Sequence, residues 1–107
     1  MIYDFMRLLL LFDLPVTTTL DRKRYAQFRK YLIEQGYQML QFSVYCKLFA
    51  NREAAVKHIG KLQKNVPLRG QVRIMLVTEK QYAKMEIIVG GASTQEMIVN
   101  SDAFIKI

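Results

Sequence analysis

The 107-residue sequence contains no tryptophan, one cysteine, one histidine and two prolines. A lone cysteine, Cys46, excludes an internal disulfide and any zinc-finger spacing. A lone histidine, His58, excludes His-rich metal sites and catalysis by paired histidines. Cys46 reads as a core residue and His58 as an ordinary helix-surface residue. The run Leu8-Leu9-Leu10-Leu11-Phe12 is too short to span a bilayer and ends at Asp13. No small-residue cleavage site follows it, so it makes a poor signal peptide. These absences predict a cytoplasmic protein without membrane association. Gly90-Gly91 sits in neither a GxxxxGK[ST] nor a GxGxxG pattern, so no phosphate-cradling loop is predicted.

Acidic residues are also scarce. Sixteen Lys and Arg face nine Asp and Glu, a net charge of +7. The excess lies in the middle. Leu20 to Arg73 holds twelve basic and three acidic residues, net +9, whereas the flanks hold four and six, net −2. A basic segment on a folded domain fits a polyanionic partner, nucleic acid or an acidic membrane surface; the competing reading is charge kept for solubility alone. At 51% hydrophobic and 23% charged, the composition is that of one ordinary globular domain.

Met6 to Phe12 is a continuous apolar run of strand length, stopped at Asp13-Leu14-Pro15. Thr18 and Asp21 have the spacing of a capping box, and Leu20 to Gln35 reads as a helix burying Tyr25, Phe28, Leu32 and Ile33. Gly36 stops it. Gln38 to Leu48 alternates and predicts one long strand, with Leu40, Phe42, Val44, Cys46 and Leu48 on one face and Gln41, Ser43, Tyr45 and Lys47 on the other. Asn51 can cap a second helix, Arg52 to Asn65, burying Ala55, Ile59 and Leu62. Val72 to Thr78 and Met85 to Val89 read as strands, followed by short apolar pieces at Met97 to Val99 and Phe104 to Ile107.

The order reads as β-α-β-α-β-β with a tail strand. Reassigning one hairpin gives the β-α-β-β-α-β ferredoxin-like pattern. Either way two helices cover one face of a mainly antiparallel α+β sheet. The other face, expected to carry Met39, Tyr45, Met75 and Val77, calls for a partner, most simply a second copy.

Asp13 is the main candidate for chemistry. A carboxylate at a strand end can hold a divalent cation, and two-fold symmetry would add a second Asp13, enough for Mg²⁺ to activate a water against a phosphodiester. The competing reading is that Asp13 accepts hydrogen bonds from the Thr17-Thr18-Thr19 loop. Arg22, Lys23, Arg24, Arg29, Lys30, Lys57, Lys61 and Lys64 are candidate contacts to phosphates. No finger, basic zipper, helix-turn-helix or aromatic RNA-reading motif is present, so such contacts would ignore base sequence. The alternative is two solvated helix faces.

The segments MRLLLLFDLPVTT, GYQMLQFSVYCKL and VRIMLVTEKQYAKMEIIVG, in this order, closely resemble the CRISPR-associated Cas-two family, from Met6 to about Gly90. The wording is closest to members from single-effector (type II) loci. The resemblance implies a ferredoxin-like βαββαβ domain (1–91) with a C-terminal extra strand (92–107), and a symmetric homodimer. It implies that Asp13 is a Mg²⁺ ligand near the dimer axis and that some members are metal-dependent endonucleases on RNA or double-stranded DNA. It further implies a bridge between dimers of the Cas-one integrase, supporting a prespacer DNA duplex during spacer acquisition. The tail residues Met97, Ile98, Val99, Phe104 and Ile105 would contact the partner subunit or the integrase.

Overall fold

The computed structural model describes residues 4–89. The element order is β1 (Met6–Asp13), α1 (Thr19–Glu34), β2 (Gln38–Gln41), β3 (Val44–Phe49), α2 (Arg52–Leu62), β4 (Gln71–Thr78) and α3 (Glu79–Ala83). The four strands form one antiparallel sheet in the order β2-β3-β1-β4. This is the βαββαβ, ferredoxin-like arrangement, with a short helix added. The tail from residue 92 onward, and the contacts expected of it, lie outside the described residues.

β1 sits centrally because it is apolar on both faces. Leu8, Leu10 and Phe12 face the helices and are buried; Leu9 and Leu11 face the other way. On the helix side Phe28 and Leu32 from α1 and Ala55 and Leu62 from α2 close the core. Both helices begin at the predicted caps. The Thr18 hydroxyl accepts from the Asp21 amide at 2.9 Å while Asp21 accepts from the Thr18 amide, and Asn51 accepts from the Ala54 amide at 2.8 Å. α1 ends before Gly36, whose φ of 91° lets the chain turn back.

Four expectations change. The stretch Gln38 to Leu48 is not one strand but the hairpin β2–β3. Gln41 pairs with Val44, leaving Phe42 and Ser43 as a two-residue turn, with Ser43 at φ 63°. Gln41 and Val44, paired across the turn, share a face although three residues apart, so the unbroken alternation of the sequence conceals the turn rather than marking it. Second, Tyr45 lies on the helix face, 1% exposed and stacked on Phe12. Its hydroxyl meets Arg29 Nε at 3.1 Å and donates to Met39 Sδ at 3.6 Å, which lets a polar-tipped ring be buried. Met39 shares this face, because it pairs with Tyr45. Third, Ile33 is 49% exposed. Fourth, Met85 to Val89 is no strand. Thr78 and Gln81 form a second capping box, which turns the chain into α3, and Ile87 and Ile88 are left exposed.

The sheet face away from α1 and α2 carries Arg7, Leu9, Leu11 and Asp13 from β1, Val44, Cys46 and Leu48 from β3, and Arg73, Met75 and Val77 from β4. The sequence predicts a face without any helical cover, but α3 folds onto one end of it. Arg7 donates to Glu79 at 2.6 Å, its guanidinium lies over the Tyr82 ring, and Cys46 is buried beside them. Leu11, Leu48 and Met75 remain exposed. Among the described residues, no helix is long and apolar enough to cross a membrane.

Candidate nucleic-acid interface

Asp13 closes β1 and is exposed. It pairs with Gln71, and Leu11 pairs with Arg73, so Arg73 is its diagonal neighbour on the same sheet face. These residues line a shallow cleft of about 200 Å³ with Phe12. Gly70 brings β4 in tightly behind. It has φ 91°, and a Cβ there would meet the Asp13 carbonyl oxygen at 2.6 Å. The strand end is therefore held by close backbone approach rather than by the Thr17-Thr18-Thr19 loop. Asp21, not Asp13, accepts from that loop.

As a cation site, one chain offers a poor donor set. Asp13 is the single carboxylate in the cleft. The Gln71 amide oxygen already accepts from Arg73 at 3.2 Å, and the Arg73 guanidinium opposes a cation. Among the described residues no group of three or more metal-ligating side chains gathers anywhere. Residues of a single copy thus do not fit Mg²⁺, which prefers more carboxylate charge.

The basic residues fall in the helical layer but on three sides of it. Arg22 and Arg29 share an α1 stripe with Tyr25 that faces the β2–β3 hairpin, where the Tyr25 and Ser43 hydroxyls lie 3.4 Å apart. Arg22 also donates to the Val16 and Thr17 carbonyls, each at 3.1 Å. Lys23 and Lys30 are exposed beside that stripe. Arg24 is half-buried and lines a cleft with Phe28, Tyr31 and the Val66–Leu68 loop. Lys57 and Lys61 are exposed on α2, and Lys64, also exposed, follows the helix end.

His58 is not the surface residue that its place on α2 predicts. It is 8% exposed, sits against Phe49, and its Nε2 is 2.8 Å from the Tyr37 hydroxyl. Burial, with Lys47 and Lys61 nearby, holds its pKa below the ordinary value. Burial also pushes the Tyr37 hydroxyl up. The pair is a neutral buried hydrogen bond, not a general base. Asp21 is similarly structural. Burial pushes its carboxyl up, but its bonds with Thr18, then Arg69 and Arg24, prevail and hold it below the usual range.

Sequence reasoning missed Arg73 beside Asp13, Arg69 on Asp21, and Arg7 under α3. Each depends on register or on a distant loop. Only Arg7 left a trace, as a charge inside a doubly apolar strand.

Known proteins share this chain's sequence over nearly all of the described fold. The family described as CRISPR associated protein Cas2 matches residues 6–85. A "CRISPR-associated endoribonuclease Cas2" from Acidovorax ebreus (strain TPSY) is 47% identical over 96 residues, covering 90% of this chain and 94% of that protein. One of the same name from Treponema denticola is 52% identical over 93 residues, covering 84% and 89%. Another from Streptococcus mutans is 44% identical over 98 residues, covering 92% and 88%.

Proposed function

Because the chain belongs to the CRISPR associated protein Cas2 family, we propose that it serves spacer acquisition as a symmetric homodimer that holds duplex DNA by its backbone between subunits of the Cas-one integrase. The observation that carries this reading is the division of the molecule into two unlike faces. One is a helical layer bearing Arg22, Lys23, Arg29, Lys30, Lys57 and Lys61. The other is a sheet face with exposed Leu11, Leu48 and Met75. The apolar face suits a second copy, and the cationic layer suits a polyanion read without regard to sequence. Indifference to sequence is what a protein accepting arbitrary foreign DNA requires.

Charge reversal tests it. The double variant Lys57→Glu/Lys61→Glu should bind a random-sequence duplex more weakly at low salt. Its log–log salt slope should flatten by about 2, close to one unit for each phosphate no longer neutralised. Unchanged affinity would remove α2 from the interface.

A second reading is a metal-dependent endonuclease. It is favoured by the endoribonuclease names of the relatives and by an exposed aspartate at a rigid strand end. One chain's residues do not fit Mg²⁺, so this reading requires a second Asp13 brought by the partner copy. Under it, EDTA and Asp13→Ala each abolish cleavage by highly purified protein. Under the integration reading Asp13→Ala leaves spacer integration intact. Cleavage by the variant would assign the activity elsewhere.

A further inference from the structure

The β2–β3 turn displays a feature that holding a duplex does not use. Phe42 is 85% exposed at the tip of this two-residue turn. The turn is not loose. Ser43 adopts φ 63°, a conformation unfavourable for a residue other than glycine, and two elements hold it there. Its carbonyl accepts the Phe12 amide at 3.0 Å, tying it to β1, and its hydroxyl lies 3.4 Å from that of Tyr25 on α1. A rigid mount with a protruding ring has low entropy to lose when the ring is covered.

On its α1 side that mount is flanked by positive charge, while Asp13 lies at the neighbouring end of β1. Arg22, Tyr25 and Arg29 follow one another at i, i+3 and i+7 along α1, on the stripe that meets the hairpin. Arg22 is braced by two backbone carbonyls and Arg29 by the Tyr45 hydroxyl, all neutral partners. The ion pairs among the described residues, Arg7–Glu79 and Arg69–Asp21, involve neither. An exposed aromatic next to braced guanidiniums has the two components of a single-strand surface. The ring stacks on a base of any identity, and the cations track the phosphates. A paired stretch of duplex keeps its base faces covered and offers the ring nothing.

We propose that Phe42 is a stacking platform for an unpaired nucleobase, with Arg22 and Arg29 holding phosphates of the same strand. The inference rests on the reading that the protein binds nucleic acid, and it adds the class of strand that this corner takes: a single-stranded segment, DNA or RNA. Sequence preference is not expected, since every base has a π-face.

The absence of tryptophan from the chain supplies the probe. Full-length wild type, Phe42→Ala and Phe42→Trp are titrated with labelled oligothymidylate, with oligouridylate and with a long duplex. Phe42→Ala should lose roughly tenfold in single-strand affinity, the scale of one base stack removed, with duplex affinity unchanged. Phe42→Trp should retain single-strand affinity, and its sole indole should be quenched on binding. The DNA and RNA arms show which strand it takes. Single-strand binding equal to wild type in Phe42→Ala, with an unquenched indole in Phe42→Trp, overturns the platform while leaving duplex holding intact. A change in sedimentation of Phe42→Ala assigns the ring to a copy interface and also overturns it. If wild type binds neither single strand nor duplex, both readings fail.

Discussion

The two faces of the single sheet share a strand and have opposite fates. On β1, Leu8 and Leu10 are fully buried under the helices, whereas Leu11, of the same residue type, is 42% exposed one position along. Cys46 and Tyr45 are also neighbours in sequence on opposite faces, and both are buried. Tyr45 is covered by the main core, and Cys46 lies beside Arg7 beneath a five-residue helix. The helix face is therefore closed by the chain itself and accounts for folding. The other face is closed at one end only, and what it leaves uncovered is available for association.

That contrast can be broken or sharpened by substitution. The largest effect belongs to the closed face. Leu10→Ala should cost about 2–5 kcal/mol in denaturant unfolding, whereas Leu11→Ala should cost under about 1 kcal/mol and act instead on self-association measured by sedimentation. Equal losses in unfolding would erase the distinction between the faces.

Next comes the buried Tyr37–His58 bond on the closed face. His58→Leu leaves the Tyr37 hydroxyl unpaired and should cost about 1–3 kcal/mol at pH 8. The folded protein holds His58 below its ordinary pKa of 6.5. The unfolded chain then takes up the proton first, and wild-type stability falls as pH drops below that value. With no other histidine in the chain, the gap between wild type and His58→Leu should narrow from pH 8 to pH 5. A gap independent of pH would contradict the assignment. At lower pH a second loss should follow in both proteins. Asp21 is held low by Thr18 and the nearby guanidiniums against its burial, and Glu79 by its bond from Arg7; their contribution vanishes as they protonate.

The smallest effect on stability is expected at α3. The Arg7–Glu79 pair is partly exposed, with 40% of the Glu79 side chain accessible, so Arg7→Ala should cost about 1 kcal/mol or less. It should nevertheless raise the reaction rate of Cys46 with a thiol reagent, because the thiol lies beside that guanidinium. An unreactive Cys46 in the variant would show that the open face is closed by something other than α3.

Legibility in the sequence followed the range of the interactions. Thr18 with Asp21 and Asn51 with Ala54 are bonds across three residues, and both caps were readable. Asp13 at a strand end was readable because an apolar run simply stops there. The hairpin turn was not, since Phe42 and Ser43 keep the alternation intact and Ser43 is not a residue that announces a positive φ. The burial of His58 was equally hidden, because a polar side chain on α2 gives no sign of a Tyr37 hydroxyl arriving from beyond α1. Arg73 reached Asp13 through the β1–β4 register, which links residues about sixty positions apart.

By itself the sequence determined the two helices that cover the core face of the sheet, the central apolar strand, and the segregation of positive charge, because periodicity, capping and composition are properties of neighbours. Only the tertiary structure decided which face each β3 side chain takes, that α3 rather than a strand follows β4, and that an aspartate, a glutamine and an arginine share one cleft. Those outcomes depend on register and on partners far along the chain, where a shift of one residue exchanges the two faces of a strand.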